Sequence, residues 1–220
     1  MKPHRALTFL AIAGFCGLAH AGTLAFDAGL VSGQASGMIP LRDSAASLAA
    51  RGADHSHYQG FQLGAVYALD NEPVAFTASV EQARGDVDLQ RQALGAFYQF
   101  QPSPKLAIST GVQYAHQRIE IDGTSGYGHD DLGLVLGTSY QLGHGIALAG
   151  SLEAGRQSGN AYGNGSDTAG MVELSFARLP FPGAVTVDWR QTRSFSYGGP
   201  YLGEQYVNTR ELGLSYSRAF

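Results

Sequence analysis

From residue 58 onward the chain alternates apolar and polar positions with period two, block after block, which predicts strands that show two different faces. Between 58 and 69, Phe61, Leu63, Ala65, Tyr67 and Leu69 share one parity, and Gly60, Gln62, Gly64 and Ala68 the other. Between 74 and 83, Val74, Phe76, Ala78 and Val80 oppose Thr77, Ser79 and Glu81. Between 91 and 101, Leu94, Ala96, Tyr98 and Phe100 oppose Arg91, Gly95 and Gln99. The segments 106–118, 132–142, 146–157, 169–179 and 184–195 repeat the pattern, for example with Leu132, Leu134, Leu136, Tyr140 and Leu142 against Gly133, Gly137, Ser139 and Gln141. A ninth runs over about 207–220. Residues 23–33 supply a weaker tenth, with Leu24, Phe26, Ala28 and Leu30 against Asp27 and Gly29.

The connections alternate as well. Asp70–Pro73, Pro102–Lys105, Gly143–Gly145 and Pro180–Gly183 are tight turns rich in Gly and Pro. Between them lie longer polar links at 34–57, 84–90, 119–131, 158–168 and 196–206. Short turns on one side and long loops on the other are the asymmetry of a membrane barrel. A soluble sandwich or calyx is the competing architecture. Against it, the polar face is crowded with Gly, Ala and Ser, which suits a narrow lumen. The apolar face carries Tyr67, Phe76, Tyr98, Phe100, Tyr140, Phe176, Tyr216 and Phe220 near the short turns, as an aromatic girdle would. The expected fold is therefore an all-β, transmembrane, antiparallel up-and-down β-barrel of ten strands, with eight as the alternative. The first link contains Asp43–Gly52, whose capping residue, Ala-rich interior and closing Gly read as a short helix. It would lie on the surface or fold into the barrel mouth.

Both ends of the chain speak to location. Lys2 and Arg5 precede an apolar run from Ala6 to Leu18, and Ala19-His20-Ala21 fits a small-x-small cleavage site. Residues 1–21 are expected to be a cleaved secretory signal and 22–220 a single barrel domain. At the other end Leu212, Leu214, Tyr216 and Phe220 share a parity against Gly213, Ser215, Ser217 and Ala219, with Arg218 interrupting the apolar row. This terminal strand resembles the assembly signal of Gram-negative outer-membrane β-barrels. More broadly, the mature chain resembles the small outer-membrane barrels of the OmpA- and OmpX-like class. The resemblance implies residence in the outer membrane, contact with its lipid and lipopolysaccharide, and insertion by the barrel-assembly machinery through Phe220, Tyr216, Leu214 and Leu212. It assigns no activity, because that class includes adhesins, narrow channels, lipid-modifying enzymes and inert scaffolds.

Composition narrows the chemistry. Cys16 is the one cysteine and lies in the leader, so thiol and disulfide chemistry are excluded from the mature chain. Losing Lys2 and Arg5 from 14 basic residues leaves 12 against 18 acids, a net of −6, with Lys105 the remaining lysine. That balance excludes a basic nucleic-acid surface. A monomer without cofactor is expected.

Counted from the short-turn end of each strand, Glu81, Glu153, Glu173, Arg190 and Glu211 all face inward at about the same height. Asp27 and Asp188 stand slightly lower and Arg91 slightly higher. Arg190 lies on the strand between those of Glu173 and Glu211, so a clamp on both neighbours is expected. Such a layer is either a gate or a structural plug that satisfies buried charge; a plug is the expectation here. Outer-membrane proteases of the omptin family offer an enzymatic comparison, through Asp86 and Asp88 in the second long link and His129-Asp130-Asp131 in the third. Omptins take their Asp–His pair from the fourth loop, and the fourth link here has Asp167 but no His. His55 and His57, or Asp130-Asp131 and the segment 160–167, are at most weak metal sites. Tyr162, Tyr197, Tyr201 and Tyr206 suit rim contacts. The expected role is thus non-enzymatic, structural or surface-interacting. A narrow porin-like channel comes second and an outer-leaflet enzyme third.

Overall fold

The computed structural model describes residues 22–38, 56–70, 72–121, 127–158, 165–197 and 204–220. The expected leader, the helix-like segment 43–52, His55, Tyr162 and Tyr201 lie outside them. The described residues form ten strands: β1 (Gly22–Met38), β2 (Ser56–Leu69), β3 (Val74–Gly85), β4 (Val87–Ser103), β5 (Leu106–Ile121), β6 (Tyr127–Gly143), β7 (Ile146–Ser158), β8 (Gly165–Phe176), β9 (Ala184–Tyr197) and β10 (Glu204–Ala219). Each pairs antiparallel with its sequence neighbours, and β1 pairs with β10 from Ala25↔Ala219 to Met38↔Tyr206, so the barrel is closed. Ten strands, not eight, is the count.

Closure leaves the sheet without a free edge, so backbone groups along its whole length are paired. The outside is apolar. On β6, Leu132, Leu134, Leu136, Tyr140 and Leu142 all stand exposed. That row spans about 33 Å along the strand, or about 25 Å of height at a tilt of about 40°, which is the thickness of a membrane-facing belt. Phe76, Tyr98, Phe100, Tyr140, Tyr216 and Phe220 are exposed toward the short-turn end, as an interfacial girdle requires. Tyr67 departs from the expectation: it is buried, with its ring lying where a side chain on Gly22 would otherwise stand.

The strands run further than the alternation suggested, and mostly at the long-link end. The second link, expected over 84–90, shrinks to Asp86: the Asp86 amide donates to the His57 carbonyl at 2.9 Å, and the His57 amide to Asp86 Oδ2 at 2.9 Å. At the short-turn end Gly143-His144-Gly145 has φ of +101°, +56° and +78°, a run that two glycines make affordable. Tyr216 OH donates to the Pro182 carbonyl and ties the 180–183 turn to the terminal strand.

Candidate functional site: a charged layer across the lumen

Parity carries the predicted charges inward, and a narrow barrel brings them together. Glu81 (β3) and Glu211 (β10) are buried, and Arg190 (β9) lies between them. Arg190 Nη1 donates to Glu81 Oε2 at 3.1 Å and to Glu211 Oε2 at 3.4 Å. Tyr58 (β2), fully buried, donates its hydroxyl to Glu211 Oε1 at 2.7 Å. Glu211 therefore has both oxygens engaged, whereas Glu81 Oε1 has no hydrogen bond.

The expected clamp between Glu173 and Glu211 is half right. The β8 residue opposite Arg190 is Met171, whose sulfur lies 4.0 Å from Nη2; Glu173 stands one rung lower, opposite Asp188. The guanidinium turns across the axis to Glu81 instead. Arg91 does likewise. In register it faces Glu81, yet its Nη2 lies 3.7 Å from Glu153 Oε2 on β7, across the lumen. Gln113 Nε2 also donates to both Glu153 oxygens, at 3.2 Å each. Two ion pairs thus bridge opposite walls, because side chains pointing at the axis of a narrow barrel converge there.

Glycines on adjacent strands make room for the acids. A side chain added at Gly64, Gly133, Gly155 or Gly213 would overlap the carboxylates of Asp27, Glu153, Asp131 and Asp188 respectively. The small inward residues of the sequence therefore have a specific task here.

Below the layer, toward the short turns, lies a cavity of about 320 Å³ with a mixed polar and apolar lining. Asp27, Gln62, Ser79, Ser109, Ser151 and Glu173 are among its lining, with Glu81, Arg91, Glu153 and Arg190 forming its ceiling. Phe97 also lines it; its ring rests over Gly95 and Gly111.

Above the layer the lumen changes character. Val31, Ala35, Tyr58, Ala83, Val87, Leu89, Ile119 and Val207 form one buried apolar cluster on the side of β1–β5 and β10. The reading that apolar residues face lipid missed this cluster, because the alternating segments were ended too early. Parity was the available signal: Leu89 shares that of Arg91, and Ile119 that of Gln117. Opposite stand buried polar groups from β6 to β9, namely His129, Asp131, Gln157, Asp167, Thr192 and Ser194. His129 and Asp131 belong to β6 rather than to a loop, and Asp167 to β8. His129 Nε2 lies 3.6 Å from Asp167 Oδ2, and Ser194 Oγ donates to Asp167 Oδ1 at 3.3 Å.

The protease comparison does not assemble into one site among the described residues. Asp86 and Asp88 are exposed, whereas His129 and Asp167 are buried inside. Asp130 points outward, where it accepts from Tyr114 OH at 2.8 Å and lies 2.8 Å from His116 Nδ1. Tyr206 is half-exposed on β10. Among the described residues, no three His, Cys, Asp or Glu side chains converge as a metal would require.

No protein-family model matches the chain, and no curated protein matches it in sequence. Similar solved structures include Neisserial surface protein A, with a TM-score of 0.44 and 15% identity over 90% of this chain and 99% of that one. The outer membrane protease OmpT from Escherichia coli has a TM-score of 0.47 and 10% identity, covering 91% and 97%. Ail, the attachment invasion locus protein of Yersinia pestis, has a TM-score of 0.32 and 16% identity, covering 90% and 99%.

Proposed function

We propose that this chain is an outer-membrane β-barrel with a sealed lumen, serving a structural or surface-interaction role rather than a catalytic one. On this reading a cleaved leader exports it, the assembly machinery inserts it through the terminal strand, and the short turns face the periplasm. The observation that carries the reading is Arg190 held between Glu81 and Glu211 under a buried apolar cluster. A solute path along the axis would have to part both. The outward placement of Asp86 and Asp88, away from the buried His129–Asp167 pair, supports a role without hydrolysis.

A narrow channel is the second reading. The cavity beneath the layer favours it, since the lumen already holds open space on the short-turn side. Planar-bilayer recording separates the two. The sealed barrel is expected to give no stable conductance steps at moderate voltage, and reproducible single-channel openings of the purified protein would establish the channel instead.

A further inference from the structure

The pairing within the charged layer leaves three carboxylates over. Arg190 is shared by Glu81 and Glu211, and Arg91 lies against Glu153. Among the described residues, Asp27, Glu173 and Asp188 make no ion pair, and no inward strand position below the layer carries a basic side chain. Asp27 and Glu173 line the cavity, and Asp188 stands opposite Glu173 in register. At the roof Glu81 is 4% exposed, and its Oε1 has no hydrogen bond. A buried carboxylate oxygen in that state calls for a donor, and the cavity is the open space that Glu81 borders.

The other side of the cavity is aromatic. Phe97 points inward from β4, and its ring lies over Gly95 and Gly111, where side chains would collide with it. Round the barrel, Asp27 on β1 and Glu173 on β8 lie three and four strands from Phe97 on β4. An aromatic surface therefore faces carboxylates across the cavity. The lining continues down through Gln99, Ala107 and Ser139. A second hollow shares those three residues and reaches Pro104 and Lys105 in the β4–β5 turn. The cavity is thus entered from the short-turn end and closed above by paired guanidinium groups.

We propose that this cavity binds a small alkylammonium ion that enters from the short-turn side. The site rests on the sealed-lumen reading above, which makes it a blind vestibule rather than a stretch of a channel. An ammonium group donates hydrogen bonds to carboxylates, offsets the charge that the two arginines leave over, and is attracted to the face of a Phe ring. An anion would meet the same carboxylates, and Arg91 and Arg190 are already engaged. A metal ion needs ligands that converge on one point, and among the described residues no such group of three exists. An alkylammonium ion is served by carboxylates spread over separate strands. The volume of about 320 Å³ is at the small end of ligand sites, which suits a short amine.

Isothermal titration calorimetry of the refolded protein in non-ionic detergent tests this. Straight-chain diaminobutane is the probe, and uncharged butanediol of the same length is the control. Asp27→Asn/Glu173→Gln keeps both side-chain shapes and removes two charges. A hydrogen bond to a charged group is worth roughly tenfold or more in affinity, so this variant is expected to bind about a hundredfold more weakly. Phe97→Leu is expected to lose roughly threefold. Asp88→Asn, exposed and outside the lumen, is expected to bind like the wild type. Unboiled electrophoresis checks that each variant is folded. Absence of saturable diamine binding by the wild type, equal binding of the diol, undiminished binding by the folded double variant, or an equal loss in Asp88→Asn would each overturn the proposal. The titration reads occupancy and not ion flow, so failure here and failure of the sealed-lumen reading in bilayer recordings are read separately.

Discussion

Replacing Arg190 with alanine is the sharpest probe of the charged layer. The substitution leaves Glu81 and Glu211 facing each other inside the barrel without their shared cation. The two carboxylates differ in what remains. Glu211 keeps the Tyr58 hydroxyl at 2.7 Å, whereas Glu81 loses its hydrogen bond from Arg190 and already had none on Oε1. Breaking a buried pair by removing one partner costs about 3–5 kcal/mol. The cavity below lets water reach the two carboxylates through the space vacated, so the lower end, about 3 kcal/mol, is expected. With a urea slope of about 1–3 kcal/mol/M, the midpoint should fall by roughly 1–3 M. Urea unfolding in lipid vesicles measures this, followed by the fluorescence of Trp189, the single tryptophan, and by the mobility of the unboiled protein. Arg91→Ala is the internal control. Its contact is longer, at 3.7 Å, and Glu153 retains Gln113, so a loss of about 1 kcal/mol is expected. Adding Glu81→Gln to Arg190→Ala should restore part of the midpoint, because it removes the most poorly satisfied charge. If Arg190→Ala shifts the midpoint no more than Arg91→Ala does, or if Glu81→Gln restores nothing, the layer is solvated and the reasoning fails.

Three further outcomes are expected. Tyr58→Phe removes a fully buried donor from Glu211 and should cost about 1–3 kcal/mol in the same urea assay, with the slope unchanged. Gly60→Ala would press its methyl group into the Gln82 carbonyl and Ala83 and should fold poorly or lose more than about 3 kcal/mol, whereas Gly170→Ala meets Leu152 Cδ2 at an ordinary 3.6 Å and should refold normally by electrophoretic mobility. Deleting Phe220 removes the ring that packs 6.1 Å from Phe26 and the amide that donates to the Leu24 carbonyl at 2.8 Å. Quantified in isolated membranes, the truncated chain should show reduced assembly with export intact; wild-type levels would contradict an assembly role for this residue.

Period-two alternation is a local property of the extended backbone, which is why the sequence alone determined the strand count, the lumen-facing parity of the charged residues and the placement of the short turns. Glu81, Arg91, Glu153, Arg190 and Glu211 were recognisable as inward because each opposes a lipid-facing neighbour one residue away. Which carboxylate takes which guanidinium was another matter. Counting up from a turn leaves an uncertainty of about two residues, which is one full rung on the inner face, and that is the difference between Glu173 and Met171 opposite Arg190. Residue type also misled where tertiary context reverses its meaning. Val31, Val87, Leu89 and Ile119 are apolar, yet they fill the lumen above the layer, and His129 meets Asp167 from two strands away. Contacts inside the lumen join strands distant in the chain: Arg190 to Glu81, across the axis, spans 109 residues, and Tyr58 to Glu211, over Gly33 of β1, spans 153. Only closure of β1 on β10, with the register and radius that closure imposes, brings such groups within hydrogen-bonding distance.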